Sequence, residues 1–188
     1  MGFKDKFKDF QTLKIDEKLV LRQVDPKKDL QEYYEIYCDN DVFRYCTGGS
    51  GKQPNKQIVS KILENQINAF EKMREYIWTI SEKKTGKALG RIHFSDFECN
   101  NKIANIGYWL GRKSWGKGII SACIKPVVEF GFSYLELERI YTKVHVANTA
   151  SWKALEKNGF KREGLLRHCF EIKEGLGDCY IYSRLYTD

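Results

Sequence analysis

Apolar residues recur with helical spacing in some parts of the chain and with strand spacing in others, and this change of period predicts the order of its elements. Near the amino terminus, Phe3, Phe7 and Phe10 are spaced for a short amphipathic helix that docks on the rest of the protein. The sequence LKIDEKLVLRQV that follows predicts two short strands around an Asp16-Glu17 turn.

Two helices and three strands are predicted next. Helical periodicity covers DLQEYYEIYCD and, after a break at GGSGKQP, a longer segment. The apolar positions that mark them are Leu30, Tyr33, Ile36 and Tyr37 in the first helix and Ile58, Ile62, Phe70 and Met73 in the second. The runs EYIWTISEK, KALGRIHFSDFE and KIANIGYWL are instead rich in strand-forming residues, and Lys84-Thr85-Gly86 and Asn100-Asn101 are good hairpin turns between them.

The last third alternates helices and strands. A helix is predicted after Gly118, and Pro126 within it should produce a kink because it removes a backbone hydrogen bond. The residues available for its inward face are Cys123, Val127, Phe130 and Tyr134. RIYTKVHV then alternates as a strand, NTASWKALEKNGF is a capped helix closed by Gly159, and two final strands surround EGLGD. The sum is an α+β fold with a mixed sheet, antiparallel in its early part, and one βαβ crossover around 116–135.

The composition fits a single domain over residues 1–188. The chain is 42% hydrophobic and 30% charged with a mean hydropathy of −0.53, which indicates a soluble protein with a sizeable core. No apolar window approaches the roughly 18 residues that span a bilayer, and the start MGFKDKFKDF lacks an apolar signal core. A cytoplasmic protein without a membrane partner is therefore expected.

The cysteine pattern and the net charge limit which metals and binding partners the sequence can support. Six cysteines are scattered without a CxxC pair, and only three histidines accompany them. Because this spacing builds neither a zinc site nor a disulfide framework, no metal is expected. A net charge of +7 favours an anionic partner, either a phosphorylated cofactor or ribosomal RNA.

The stretch GRKSWGKGIIS joins a predicted strand to a predicted helix, and its glycines suit a phosphate site. Backbone N–H groups at a helix start bind phosphate oxygens; Gly116 and Gly118 permit close approach, and Lys113 and Lys117 add positive charge. A P-loop would need a hydroxyl residue at Gly118, and a Rossmann fingerprint would need a glycine at Ser121, so both motifs are near misses. A glycine-rich turn without a ligand is the remaining alternative for the loop taken by itself.

The loop is followed by KVHVANTASWKALEKNGFKREG, and NIGYWLGRKSWGKGIIS, N-T-A-S, LEKNGF and EG form an ordered set within about 92–185. This set resembles the GNAT superfamily of acetyltransferases, and most closely the subgroup that acetylates the N-terminal alanine or serine of ribosomal proteins. The resemblance implies a GNAT-like, mostly antiparallel sheet with one βαβ crossover, splayed central parallel strands and helices on both faces. It also implies an acceptor-side part at about 25–75 and an acetyl-CoA-binding part at about 90–160.

In that family acetyl-CoA lies between the splayed strands, which would here be 103–110 and 139–146. The resemblance implies that main-chain groups of Trp109 and Leu110 pair with the pantetheine arm and that the glycine loop holds the pyrophosphate. Asn148 would contact pantetheine, or it is simply the N-cap of the helix that it precedes. The residues implied for acetyl-CoA are Trp109, Leu110, Lys113, Trp115, Gly116, Lys117, Gly118, Ile119 and Asn148.

The resemblance assigns the catalytic proton donor more firmly than the base. Ser151, by its place in N-x-x-S, resembles the residue that protonates the departing CoA thiolate, although it also suits an ordinary helix start. The glutamate that the ribosomal subgroup can carry is replaced by Phe170. Its neighbour Glu171 qualifies as base only if a bulge turns it inward, and His93 is the other candidate, with a structural role as its alternative.

The resemblance implies an acetyl-CoA-dependent N-acetyltransferase in which a primary amine attacks the thioester directly, without a metal. A protein N-terminal α-amine, such as that of a ribosomal protein, is the first expectation for the acceptor. A small-molecule amine (a polyamine, an amino acid or an aminoglycoside) is the second. The charge of +7 and the missing glutamate keep a different class open, a non-catalytic CoA- or RNA-binding module. A monomer or a homodimer is expected.

Overall fold

In the described part of the computed structural model, eight β-strands form one mixed sheet. The structure describes residues 2–46, 53–98, 100, 102–172 and 175–188. The strands are β1 (Leu13–Lys14), β2 (Leu19–Arg22), β3 (Tyr76–Glu82), β4 (Ala88–Glu98), β5 (Ile103–Leu110), β6 (Arg139–His145), β7 (Lys161–Ile172) and β8 (Gly175–Leu185). The helices are α1 (Leu30–Tyr37), α2 (Lys56–Glu71), α3 (Ile119–Ser133) and α4 (Thr149–Lys157), and 3₁₀ turns cover Phe3–Phe7 and Arg112–Ser114.

The strand order is β1-β2-β3-β4-β5-β6-β8-β7, and β5 and β6 are the parallel pair within the described part of the chain. Helix α3 connects these two strands, as a parallel connection requires. The remaining neighbours pair antiparallel. The α+β class, the mixed and mostly antiparallel sheet and the single βαβ crossover are thus confirmed.

The two parallel strands separate soon after they begin. Their register runs from Ile103 opposite Arg139 to Asn105 opposite Tyr141, and no further pair follows along either strand. The rest of β5 and the rest of β6 therefore diverge toward their carboxyl ends. The splayed gap, by which we mean the space between β5 beyond Asn105 and β6 beyond Tyr141, confirms the expected opening in the sheet.

Helices cover both faces of the sheet. On the α3 face, Ala104 and Ile106 of β5 are fully buried in one core cluster with Val127. On the α1 face, Trp109 of β5 packs edge-on against Tyr33, with ring centroids 5.4 Å apart. Since side chains alternate along a strand, each residue of β5 belongs to one of these two faces.

The amino-terminal segment docks as expected, as a short 3₁₀ helix over Phe3–Phe7. Phe7 is buried and Phe10 packs against Phe70, at a ring-centroid distance of 5.2 Å. In α2, Ile58 is 51% exposed, whereas Val59 and Leu63 are fully buried. The predicted stripe was thus one residue out of phase at Ile58 but correct at Phe70, and the buried face of the helix also includes the polar Gln66.

Most of the remaining local predictions are confirmed among the described residues, whereas Tyr134 is only half-buried at the C-cap of α3 and the kink at Pro126 stays a prediction. Cys123, Val127 and Phe130 are buried on α3, which continues through Pro126. Gly86 and Asn100 have positive φ angles in their turns. Asn101, Glu174 and the first part of the predicted break, 48–52, lie outside the described residues. No described helix has the length and apolar character needed to cross a bilayer.

Candidate functional site

The glycine loop places a helix start beside the splayed gap. Gly116 and Gly118 both have φ of +71°, a left-handed conformation that favours glycine, and Gly118 is the N-cap of α3. A Cβ atom built on either glycine would meet nothing within 4 Å. Lys113, Lys117 and the loop glycines are exposed, and the first-turn N–H groups of α3 have no acceptor within the helix. The loop can therefore admit an anion.

Trp115 differs from the expectation for a phosphate ligand. Its main-chain N–H donates to the carbonyl of Arg112 at 3.1 Å, so this amide is already engaged. Its indole N–H donates to the carbonyl of Leu110 at 2.8 Å, although the side chain is 45% exposed. Trp115 thus ties the loop to the end of β5, while the open amides begin at Gly116.

The main chain of β5 corrects the expectation for Trp109. The Trp109 carbonyl lies on the β4 side, 2.2 Å from the position that a Cβ atom at Gly90 would take. Because main-chain groups alternate between the two edges of a strand, Tyr108 and Leu110 are the residues that face the splayed gap. The side chain of Trp109 lies in an aromatic cluster with Tyr37 and Phe43, at centroid distances of 5.6 and 5.5 Å.

Ser151 lies on the α3 face beside a tyrosine that the sequence reading missed. Asn148 caps α4, its Oδ1 accepting from the N–H of Ser151 at 3.4 Å. The hydroxyl of Tyr108 lies 3.0 Å from Ser151 Oγ and 3.3 Å from the Ser151 carbonyl oxygen. Tyr108 belongs to the splayed part of β5, so this hydroxyl pair adjoins the gap. Tyr108 could have been selected from the sequence because it follows Gly107 on the predicted strand that leads into the glycine loop.

The hydroxyl pair is neutral. Burial raises the pKa of Tyr108 well above its ordinary value, and the hydrogen bond with Ser151 lowers it by less. Tyr108 has one proton for two acceptors, since a carbonyl only accepts. When that proton is directed to Ser151 Oγ, the proton of Ser151 itself is free for a third atom. The pair is therefore suited to delivering a proton into the gap.

On the α1 face, His93 lies directly over Gly107. The two residues pair across β4 and β5, and a Cβ atom at Gly107 would lie 2.4 Å from Cε1 of the imidazole. His93 Nε2 is 3.4 Å from an Arg91 guanidinium nitrogen. Burial first and the charge of Arg91 second lower the pKa of His93 well below 6.5, and the Gly107 backbone acts weakly in the opposite sense. The imidazole is therefore neutral, and its nitrogen beside Arg91 is disfavoured for protonation.

A second histidine borders the gap from the other side. His145 ends β6 on the α1 face, is 8% exposed, and stacks on Tyr45 with centroids 5.1 Å apart. Its Nδ1 accepts from the main-chain N–H of Ala147 at 3.2 Å, which leaves the ring proton on Nε2 in the neutral form. His145 was not selected from the sequence, where it stands three residues before Asn148.

The side chain of Glu171 is more exposed than those of His93 and His145. The β7–β8 pairing contains a register shift between Leu166 and Phe170, with His168 at a φ of +46°, so a bulge is present. The side chain of Glu171 is nevertheless exposed beyond it, opposite Leu176. The condition under which this carboxylate could reach the gap, an inward turn, is not met. Among the described residues, no group of three or more His, Cys, Asp or Glu side chains is arranged to hold a metal.

Comparison with known proteins agrees with this geometry. Residues 18–161 match the family model described as an acetyltransferase (GNAT) domain. An uncharacterized N-acetyltransferase, p20, of Bacillus licheniformis is 34% identical over 90% of this chain and 93% of its own length. The ribosomal-protein-serine acetyltransferase of Escherichia coli is 26% identical over 93% of this chain and 97% of its own length.

A solved structure extends the likeness to three dimensions. The microcin C7 self-immunity acetyltransferase MccE, in complex with acetyl-CoA and AMP, superposes with a TM-score of 0.81 at 26% identity, over 92% of this chain and 95% of its own. The loop before α3, which nearly matches a P-loop and a Rossmann fingerprint, therefore belongs to neither of those nucleotide-binding folds. The chain belongs to the GNAT family of acetyltransferases and is an N-acetyltransferase, of a family that uses acetyl-CoA and needs no metal.

Proposed function

We propose that this enzyme acetylates the α-amine of a protein amino terminus, with a ribosomal protein as the first candidate. The single observation that carries the chemistry is the Tyr108–Ser151 hydroxyl pair beside the splayed gap, 3.0 Å apart. The serine-acetylating relative from Escherichia coli, similar over almost its whole length, supports a ribosomal acceptor. Membership of an enzymatic family favours a catalytic role over a non-catalytic CoA- or RNA-binding module.

In the proposed reaction the amine nitrogen attacks the thioester carbon, the new C–N bond forms and the C–S bond breaks. Ser151 Oγ gives its proton to the departing sulfur, and Tyr108 supports it by donating to the same oxygen. The proton that the amine loses passes to water, and water returns a proton to the hydroxyl pair. The open amides from Gly116 to Ile119 hold the pyrophosphate, with Lys113 and Lys117 adding charge. The N–H of Leu110 stabilises the oxyanion, since it faces the gap.

The two candidates for a general base are poorly suited to that role, which favours an α-amine over a lysine side chain as the acceptor. His93 is neutral with Arg91 against its free nitrogen, and Glu171 is exposed. With a pKa of about 8, roughly a tenth of an α-amine is already neutral at pH 7, whereas a lysine amine is neutral about once in 2,500 molecules. An α-amine therefore needs little more than water to accept its proton.

A direct assay tests this proposal. Purified protein is mixed with acetyl-CoA and two versions of one peptide, one with a free amino terminus and a blocked lysine, the other the reverse. We expect thiol release and a mass gain of one acetyl group with the first peptide alone. Acetylation of the lysine alone would contradict the proposal. Unchanged masses of all ribosomal proteins from cells lacking this chain would exclude the ribosomal acceptor.

A small-molecule amine is the second candidate. The structural relative MccE is described in complex with AMP, so the same fold accommodates a small ligand beside acetyl-CoA. In this chain, Arg91 and His93 place polar donors on the α1 face next to Gly107. Free amino acids, polyamines and aminoglycosides offered in the same assay test it.

A further inference from the structure

The α1 face of β4 carries a pair of nitrogen donors close to the splayed gap. Arg91 pairs with Trp109 and His93 pairs with Gly107 across the β4–β5 ladder, so both side chains share the α1 face with the Trp109 ring. Strand β5 alone separates them from the gap. An acceptor that approaches the gap from this face passes over them.

The unpaired nitrogens of this pair are both donors. A guanidinium only donates, so the 3.4 Å contact makes His93 Nε2 the acceptor and fixes the proton of the neutral ring on Nδ1. Arg91 Nε is buried and has no hydrogen-bond partner among the described residues; His93 Nδ1 is also buried and makes no well-formed hydrogen bond there, although the Gly107 backbone lies close enough to favour its protonated ring slightly. Buried polar atoms are nearly always paired in proteins. An acceptor oxygen placed beside either donor would satisfy it.

The positive charge of Arg91 is also incompletely balanced. Its side chain is 17% exposed, and the described carboxylate that pairs with it, Glu75, lies 3.8 Å away with 34% of its side chain exposed. The other groups that feel its charge are Tyr33, Tyr37 and Cys46. All three are uncharged at neutral pH, because burial raises the pKa of each, to about 11 for Cys46.

We propose that Arg91 and His93 form an acceptor subsite that binds an anionic oxygen group, a carboxylate or a phosphate, carried by the amine to be acetylated. This subsite rests on the proposed acetyl transfer and specifies the acceptor further. It selects free amino acids, phosphorylated amines or amino termini followed by an acidic residue. It disfavours polyamines and aminoglycosides, whose positive charges would face Arg91.

Paired acceptors test the subsite. The kcat/KM is measured for an amino acid against its amide, O-phosphoethanolamine against ethanolamine, and a peptide with Asp against Asn at its second position. We expect a preference for an anionic member in the wild type. Arg91→Gln should lower that kcat/KM about 10- to 100-fold, the loss expected for a charged hydrogen bond, and change the neutral member less than about twofold.

The ratio of the two kcat/KM values in each pair is compared between the wild type and the variant, because this comparison cancels the difference in amine pKa between the two acceptors. Arg91→Lys, which keeps the charge but lacks Nε, should fall between the wild type and Arg91→Gln. The matched control is Arg74→Gln at an exposed arginine, which should leave all ratios unchanged. Equal losses for the anionic and neutral members in Arg91→Gln would overturn the proposal, because a purely structural arginine affects both alike.

A measurement without turnover separates this inference from the proposed function. The chain has only three histidines, so ¹⁵N-histidine spectra are simple to assign by substitution. With CoA present, N-acetylglycine or O-phosphoethanolamine should shift the His93 Nδ1 signal saturably in the wild type and not in Arg91→Gln. If the peptide α-amine is not acetylated but this shift occurs, the proposed function fails and the anion subsite stands. An absent shift, or the same shift in Arg91→Gln, would overturn the subsite.

Discussion

The two faces of β5 differ in how completely their polar groups are hydrogen-bonded. On the α3 face, Tyr108 and Ser151 bond to each other, and Asn148 caps the helix that carries the serine. On the α1 face, Arg91 Nε and His93 Nδ1 are buried and make no well-formed hydrogen bond within the described part of the chain. The difference fits their proposed ligands: acetyl-CoA is held largely by main-chain groups and a helix start, whereas the acceptor must supply what the α1 face lacks.

Because each face has its own proposed ligand, a substitution on one face should leave the binding of the other face's ligand unchanged. The strongest expected effect is on the α3 side, at Gly118. Gly118→Asp places a carboxylate against the proposed pyrophosphate position, and like charges should weaken acetyl-CoA binding at least about 100-fold. The stabilising thermal shift that acetyl-CoA produces should therefore disappear.

The control for this substitution is Gly118→Asn, which has nearly the same shape and the same +71° backbone demand. Asparagine tolerates the left-handed conformation and adds no charge. The Asn variant should retain most of its acetyl-CoA affinity. If both variants bind acetyl-CoA equally well, the loop is not the pyrophosphate site.

The next effect concerns the hydroxyl pair. Ser151→Ala should lower kcat about 100-fold with acetyl-CoA affinity nearly unchanged, because the thiolate then leaves without its proton donor. Tyr108→Phe should lower kcat about tenfold through the loss of its support to Ser151. The double variant should be no slower than Ser151→Ala, as steady-state kinetics would reveal. Fully additive losses would mean that the two hydroxyls act independently.

A smaller effect is expected on the α1 face at Gly107. Gly107→Ala would bring a Cβ atom to 2.4 Å from His93 Cε1, so the imidazole must move. We expect a loss of about 1–3 kcal/mol in the free energy of unfolding and a rise in acceptor KM, with acetyl-CoA affinity unchanged. Gly164→Ala is the control, since its nearest contact would be an ordinary 3.9 Å. A fall in acetyl-CoA affinity at Gly107→Ala would mean that the faces are not separable.

The smallest effect is expected at Glu163, which belongs to neither the proposed acetyl-CoA site nor the proposed acceptor subsite. Its hydrogen bond with Arg139, then that with Ser183, lowers its pKa from 4.5 to about 2. The associated stability is present above pH 4.5 and is lost as the pH falls toward 2. The side chain is 38% exposed, so Glu163→Gln should cost under about 1 kcal/mol at pH 7. The difference in the free energy of unfolding between the two proteins, measured with denaturant, should be smaller at pH 3 than at pH 7, while kcat stays unchanged.

The cofactor half was more predictable from the sequence than the acceptor half. The loop, α3, Asn148 and Ser151 are consecutive features whose glycines, cap and spacing act over a few residues. Their positions beside the gap follow directly from the strand–loop–helix order. Trp109 was assigned less well, because which edge of the strand a main-chain group faces depends on its pairing with β4.

The contacts of Arg91 on the α1 face and of Tyr108 on the α3 face depend on residues that are distant in sequence. Nothing near Arg91 or Tyr108 in the sequence indicates their partners, since Arg91 meets Glu75 from before β3 and Tyr108 meets Ser151 from α4. The buried stripe of α2 was misplaced by one residue at Ile58 for a similar reason. A polar Gln66 on the inward face hides the stripe from a purely apolar periodicity.

The sequence by itself determined the α+β class, the order of strands and helices, the glycine-led start of α3 and the family. Those properties arise from local periodicity, turn chemistry and capping, which act over a few neighbouring residues. Only the tertiary structure decided that β5 and β6 part after Asn105, that Tyr108 meets Ser151, and that His93 lies over Gly107. Register and the alternation of side chains across the sheet set these contacts, and both are fixed by pairing between segments that are distant along the chain.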